Sequence, residues 1–219
     1  EIAEYISDNL NLGKVSLMRR AGSSGWAIMH KATTDRGKRL FVKVSRGDEA
    51  MFAGEAEGLQ TIFETNTLRV PEVYYYGPLQ RGKGSFIVME ELELCPIFSQ
   101  SQLGNALARM HLAQPRASEA KNGMFGFLLE NTIGDTPQPN GWMKSWIDFY
   151  RERRLRHQLL LTGDAELIRL GNKLCNNLES YFEGVEEIKP SILHGDLWSG
   201  NISSVGNTPV VFDPACYYG

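Results

Sequence analysis

The chain has 219 residues, 42% hydrophobic and 22% charged, with a formal net charge of -3. That composition suits an ordinary folded enzyme of one or two compact domains. The near balance of charge and the absence of long basic runs speak against a nucleic-acid partner, and no apolar stretch nears the ~18 residues that span a bilayer. Cys95, Cys175 and Cys216 are scattered and odd in number. Without a C-x-x-C pair they imply neither a disulfide framework nor a zinc cage, and they suit buried thiols in a reducing compartment. Cytosol is the expected compartment, or an organelle such as the plastid if a leader precedes Glu1.

In chain order, Ile2, Tyr5, Ile6 and Leu10 stand at helical spacing and predict a short helix over residues 1–10. Val15–Met18 and Trp26–Met29 read as strands around the small-residue turn Ala21-Gly22-Ser23-Ser24-Gly25. Such a turn either closes an ordinary hairpin or brings backbone N–H groups close to phosphates, with Gly22, Ser23, Ser24 and Gly25 as the contacts. The next strand, Arg39–Val44, alternates apolar and polar residues and carries Lys43 in its middle. A helix follows, capped by Asp48, with Met51, Phe52, Ala56, Leu59, Ile62 and Phe63 as its apolar stripe. A lysine on a third strand and a glutamate on the helix after it are the phosphate-gripping pair of protein kinases. Glu55 is the expected partner of Lys43; Glu49 comes too early.

Tyr74–Tyr76 reads as strand, as does Ser85–Glu90, which in a kinase plan leads to the hinge between lobes. Met89, Glu90 and Leu92 then lie at the adenine edge, the last two through their backbone. From Ser99 the pattern turns helical. The 121–138 loop, rich in Gly, Asn, Thr and Pro, is long for a connector and is a candidate substrate loop. Helices are expected over Trp142–Leu161, with an aromatic stripe and a solvated face bearing Arg151, Arg153, Arg154 and Arg156, and over Ala165–Phe182.

The most informative stretch comes last. Leu193-His194-Gly195-Asp196-Leu197-Trp198-Ser199-Gly200-Asn201 is followed by the β-branched run Pro209-Val210-Val211-Phe212 and then Asp213-Pro214. Phosphoryl transfer needs an acceptor for the attacking hydroxyl's proton and oxygen ligands for Mg²⁺. Protein kinases meet the need with H-R-D-L-x-x-x-N and a later aspartate heading D-F-G. Here Asp196 takes the catalytic position, and Asn201 and Asp213 take the metal positions.

These residues carry a family resemblance. The His194–Asn201 run, Asp213-Pro214-Ala215-Cys216-Tyr217-Tyr218-Gly219, Phe41-Val42-Lys43, Gly54-Glu55-Ala56 and Phe125-Gly126-Phe127 through Asn131-Thr132-Ile133-Gly134 to Trp142 resemble the fructosamine kinase (ketosamine-3-kinase) family almost end to end. The resemblance implies an α+β, protein-kinase-like fold. A small antiparallel β lobe (1–92) would bind ATP, and a larger, mainly helical lobe (93–219), truncated relative to the family, would carry catalysis and substrate. It further implies ATP and Mg²⁺ as cofactors and phosphorylation of the 3-hydroxyl of free or protein-linked ketoamines. The phosphorylated adduct then breaks down and frees the amine, which repairs glycated protein. His194 and Trp198 join Asp196 on the substrate side; Trp198 either stacks on the sugar or packs beneath its loop. The phosphate loop lacks the cysteine that some relatives use in redox-switched dimers, so that switch is not expected; a monomer or weak dimer is the expected state. Two other readings stand beside this one: a small-molecule kinase of the aminoglycoside or choline type, and an inactive nucleotide-binding pseudokinase.

Overall fold

In the computed structural model, which describes residues 1–47, 50–95 and 99–219, the first half forms one antiparallel sheet. β1 (Val15–Ser23), β2 (Ala27–Thr34), β3 (Arg39–Ser45), β4 (Val73–Pro78) and β5 (Ser85–Glu90) pair in the order β1-β2-β3-β5-β4. Side chains alternate across a strand, and this assigns the two faces. Leu40, Val42, Phe86 and Val88 pack beneath α1 (Ile2–Asn9), whose Ile6 is fully buried. Tyr75 of the tyrosine run packs here too, against Tyr5 and Phe86. The opposite face carries Phe41, Lys43, Ile87 and Met89. On it the register sets Lys43 between Met29 and Ile87.

α2 (Ala50–Glu64) crosses this second face and buries Phe52, Ala56, Leu59 and Ile62 against it. Asp48, its expected cap, lies outside the described residues. The same core continues into the second half through Leu103 and Met110 of α3 (Gln100–Leu112) and through Phe127, Ile192, Val211 and Tyr218. One apolar core therefore joins the sheet to the helical half. α4 (Ser118–Lys121) and the hairpin β6 (Asn131–Ile133)–β7 (Thr136–Gln138) follow α3. Then come α5 (Trp146–Phe149), a wider π-helical segment (Tyr150–Arg156), α6 (His157–Thr162) and α7 (Ala165–Cys175). Near the C-terminal end β8 (Ile192–Leu193) pairs with β11 (Tyr217–Tyr218), and β9 (Ile202–Val205) pairs with β10 (Thr208–Val211).

Three sequence expectations are corrected. The helix expected from Trp142 starts at Trp146, because Met143 exchanges backbone hydrogen bonds with Phe125 and Ser145 caps the helix by accepting from the Asp148 N–H at 3.2 Å. The helix expected to reach Phe182 ends at Cys175, and Leu178–Phe182 forms a separate 3₁₀ turn. Arg154, expected on a solvated face, is enclosed instead. The Arg154 guanidinium lies 4.7 Å from the Phe149 ring centroid and 4.1 Å from that of Tyr217. It donates to the Pro139 carbonyl at 2.7 Å and to Asn140 Oδ1 at 2.6 Å. The aromatic stripe behaves as core: Phe149 is fully buried, and Trp146 stacks on Phe149 and Tyr150.

A planar fork between two rings cannot be replaced by a point charge. Arg154→Lys should therefore cost about 1–3 kcal/mol in chemical denaturation, the sum of a stacked cation and its hydrogen bonds. Arg156, in an exposed pair with Glu152, should tolerate the same change within about 0.5 kcal/mol. Equal effects of the two substitutions would return Arg154 to the solvated face.

Candidate active site

β8 delivers His194-Gly195-Asp196 into a turn that only glycine permits. Gly195 has φ +82°, and a Cβ there would lie 1.9 Å from the Ala215 carbonyl oxygen. The segment after Asp213 thus crosses directly over Gly195, which leaves no room for the arginine of an H-R-D turn. His194 is 2% exposed. Its Nε2 meets the Phe212 carbonyl at 3.1 Å, and its Nδ1 accepts the Asp196 N–H at 3.3 Å. His194 therefore faces the protein and not a substrate, correcting the sequence expectation: it ties the Asp196 turn to the strand that leads to Asp213.

Asn201 closes the short 3₁₀ turn Ser199–Asn201. Its amide nitrogen donates to the Asp196 carbonyl at 2.9 Å, to Asp196 Oδ2 at 3.1 Å and to the Asp213 carbonyl at 3.4 Å. With the nitrogen committed, Oδ1 is the group left to act as a ligand. Asp213 follows β10 in the left-handed region, at φ +57°. Its carboxylate forms an ion pair with Lys43.

Lys43 is 4% exposed and also bonds Glu55 at 2.7 Å. Burial alone would push its pKa down, but the Glu55 and Asp213 carboxylates outweigh that and hold it above the usual lysine range. Burial pushes Glu55 up, Lys43 pulls it back, and the negative charge of Asp213 adds to the rise. The Lys43 ammonium also lies 5.6 Å from the Trp26 ring centroid.

Two cavities meet at this cluster. The first, about 340 Å³, runs between Phe41, Met89 and Leu92 on one side and Phe212 and Asp213 on the other. The second, about 220 Å³, is lined by Asp196, Trp198, Asn201 and Asp213, and by Thr132 and Gly134 of the β6–β7 hairpin. Ser24, Trp26 and Asp213 line both. The candidate substrate loop thus reaches the site through Asn131, Thr132 and Gly134 of its hairpin. Trp198 settles against Gly200, where a Cβ would lie 2.2 Å from the indole, yet it stays 60% exposed.

The phosphate loop is tighter than the sequence suggests. Gly22 and Ser23 are strand residues opposite Met29 and Ile28. The turn itself is Ser24–Ala27, closed by the Ser24 N–H on the Ala27 carbonyl at 2.8 Å and by the Ala27 N–H on Ser24 Oγ at 3.1 Å. Of the four expected contacts only Ser24 lines the cavities; Gly22, Ser23 and Gly25 do not. Trp26, which follows them at once, was the missed residue. At the hinge, the Glu90 N–H is spent on the Glu72 carbonyl and the Glu91 N–H on Arg39, while the Glu90 carboxylate pairs with Arg69. Among the described residues the Leu92 N–H, on the wall of the first cavity, makes no such bond.

The donor set suits a nucleotide with its metal. The first cavity's walls are mainly apolar, as an aromatic base requires. The chain offers the Asp213 carboxylate and Asn201 Oδ1, hard oxygen donors that match the few protein ligands Mg²⁺ takes beside phosphate and water.

His194 gives the site a pH dependence. Its pKa is lowered from 6.5 by burial, against the Phe212 hydrogen bond and the charges of Asp196 and Asp213. Below pH 6.5 the unfolded chain protonates this histidine and the folded chain resists, so stability falls with pH until the lowered folded pKa is passed. Protonation of Nδ1 would also break its bond from the Asp196 N–H. Thermal unfolding between about pH 7.5 and 5.5 should show a steeper loss for the parent than for His194→Gln. Parallel slopes would show that His194 titrates as it does in the unfolded chain.

Comparison with known proteins agrees with this geometry. The family model for fructosamine kinase matches residues 4–219. A protein-ribulosamine 3-kinase, chloroplastic, of Arabidopsis thaliana is 44% identical over 228 residues, covering 100% of this chain and 67% of that protein. A ketosamine-3-kinase of Mus musculus is 34% identical, covering 93% of this chain and 74% of that one. Two rice proteins named like the Arabidopsis one are each covered over 62% of their length, so the chain spans about two thirds of its plant relatives. A solved Thermobifida fusca structure of the fructosamine-3-kinase type superposes with TM-score 0.82 at 26% identity, over 100% of this chain and 74% of that one. A thermostable mutant of an aminoglycoside phosphotransferase superposes with TM-score 0.63 at 12% identity, over 99% of this chain and 73% of that one, and so shares the fold. With the family model matched over nearly its whole length and the kinase-like fold in place, the chain belongs to the fructosamine kinase family.

Proposed function

We propose that this chain carries the catalytic machinery of an ATP-dependent ketosamine 3-kinase, acting on free or protein-linked ketoamine sugars in deglycation repair. The observation that carries the reading is the meeting of two cavities at Asp213, with Lys43 at the first, Asp196 and Asn201 at the second, and Glu55, which bonds Lys43, on the wall of the second. In this reading residues 1–92 form the nucleotide lobe and 93–219 the acceptor lobe. The printed names of the relatives, ribulosamine 3-kinase and ketosamine-3-kinase, support the acceptor class.

Each residue's role follows from its place. The first cavity holds the adenine against Phe41 and Met89, with the Leu92 N–H at its edge. Lys43, fixed by Glu55, reaches the α- and β-phosphates. Asn201 Oδ1 and the Asp213 carboxylate would hold Mg²⁺, which when bound offsets charge on the phosphates. Asp196, oriented by Asn201 and by the His194 ring, accepts or orients the proton of the acceptor hydroxyl. Trp198 presents an exposed indole face to a sugar ring. His194 acts only through Asp196.

Membership of the fructosamine kinase family favours this acceptor over aminoglycosides or choline, since likeness to the aminoglycoside enzyme extends to fold alone. Lys43, Glu55, Asp196, Asn201 and Asp213 are all present and in register, which argues against a pseudokinase. No helix among the described residues is long and apolar enough to cross a membrane. The chloroplastic names of the plant relatives favour a plastid over the cytosol.

ADP release driven by a ketoamine such as fructoselysine tests the reading. It should fall by at least ~10²-fold in Asp196→Ala, the scale of a lost general base, with Mg²⁺–ATP binding retained. Turnover of aminoglycosides or choline in its place, or Mg²⁺–ATP binding with no turnover of any of these alcohols, would sink the ketosamine reading.

A further inference from the structure

We infer that Asn131 and Gln138 form a positioning pair for the metal-binding turn, and that through them the acceptor-side hairpin is mechanically joined to Asp213 and Glu55. The inference rests on the Mg²⁺–ATP reading of the cleft and goes beyond it by assigning a role to two buried amides outside the Lys43, Asp196, Asn201 and Asp213 cluster, of which Asn131 also lines the second cavity.

The two side chains are 4% and 2% exposed. Asn131 Nδ2 donates to the Cys216 carbonyl at 2.7 Å. Gln138 Nε2 donates to Asn131 Oδ1 at 2.9 Å and to the Ala215 carbonyl at 3.3 Å. Both carbonyls belong to the segment just after Asp213, which has no strand partner at Pro214–Cys216 to satisfy them. Buried carbonyls need donors, and here the donors come from a hairpin some 80 residues earlier in the chain.

The same pair also sets the other side of Lys43. A Cβ added to Gly54 would lie 2.6 Å from Asn131 Cβ, and one added to Gly58 would lie 3.1 Å from Pro214 and 3.2 Å from Cys216 Sγ. α2 therefore lies flush on Asn131 and on the segment that Asn131 holds. Glu55, the next residue after Gly54, inherits its position from this contact. Both carboxylates that bracket Lys43 are thus referenced to one amide pair.

Asp213 makes the dependence acute. A non-glycine residue at φ +57° is held there only by its surroundings. Its neighbours are fixed by the Phe212 N–H on the Asn201 carbonyl at 3.2 Å, the Ala215 N–H on the His194 carbonyl at 2.9 Å, and the two amides. Loosening the amides frees the C-terminal side of the turn, which moves the carboxylate and leaves the nucleotide wall of Phe41, Met89 and Leu92 untouched. The hairpin carries Thr132 and Gly134 into the acceptor cavity, so it touches that cavity and the metal turn at once.

The test is calorimetric titration of the full chain with ATP, in EDTA and at graded Mg²⁺. In Gln138→Ala the Mg²⁺ concentration needed for tight ATP binding should rise ~10-fold or more, the scale seen when residues supporting a metal ligand are removed. ATP affinity in EDTA should stay within about twofold, since the base-binding wall is intact. Asp213→Asn should raise the Mg²⁺ requirement too, and the double variant should add little to it, as for residues acting through one another. If Gln138→Ala fails to fold, Gln138→Met keeps the length, removes the donors and should give the same result. An unchanged Mg²⁺ requirement in either folded variant overturns the pair, as does an equal loss of affinity in EDTA and in Mg²⁺, or full additivity with Asp213→Asn. A parent chain that binds ATP without regard to Mg²⁺ overturns the site reading itself. A shifted Mg²⁺ requirement without ketoamine turnover keeps the pair and removes only the acceptor.

Discussion

Lys43 is buried to 4% exposure with a carboxylate on either side, and most of the molecule's local geometry follows from keeping it there. A charge taken out of water costs several kcal/mol, and partners must be close and well directed to offset it. The partners come from α2 and from the turn after β10, segments far apart in sequence. Gly54 and Gly58 let α2 approach without a side chain in the way. Asp213 adopts a left-handed backbone to aim its carboxylate back at β3. An apolar replacement of such a triad is often neutral or stabilising elsewhere. The charges are therefore better understood as kept for what enters the cleft than for what they contribute to folding.

The second constraint is the crossing of the 213–217 segment over the His194-Gly195-Asp196 turn. Gly195 leaves space for the Ala215 carbonyl, and His194 reaches beneath to the Phe212 carbonyl. Asn201 bridges the two sides from Asp196 to the Asp213 backbone. Glycine in place of the arginine of H-R-D is thus a packing requirement. The turn is held by buried hydrogen bonds from His194 and Asn201.

Much of this was legible in the sequence because it rests on local periodicity. Alternation along Arg39–Val44 placed Lys43 mid-strand, and the kinase pattern of a lysine on a third strand with a glutamate on the next helix picked out Glu55. The D-x-x-x-x-N spacing, with a second aspartate at a strand end, brought three oxygen-bearing residues into one turn cluster. What the sequence hid depends on long-range partners. Nothing local to Arg154 announces that Phe149 and Tyr217 will enclose it. His194 looks like a cleft residue until Phe212 claims its ring. Gly22 and Ser23 looked like a phosphate loop, but strand pairing with Met29 and Ile28 extends past them and leaves Ser24 and Trp26 at the tip. Asn131 and Gln138 sit in a run of small polar residues, and only the fold shows that their amides bond the carbonyls after Asp213.

The division between what is shared and what is particular follows the two cavities. The kinase-like frame is common to this chain and to an aminoglycoside phosphotransferase only 12% identical to it, so the frame alone does not choose an acceptor. The first cavity is walled by the sheet, the segment after β5 and Phe212, parts of the shared frame. The second is walled by Trp198 and by a three-residue-stranded hairpin packed on α2. Those are short, surface-reaching pieces that can change without disturbing the sheet. They are also the pieces bonded to the turn of Asp213. In the proposed reading, an acceptor that fits the hairpin would press on the same segment that aims Asp213, and fit at one cavity and geometry at the other would become a single requirement.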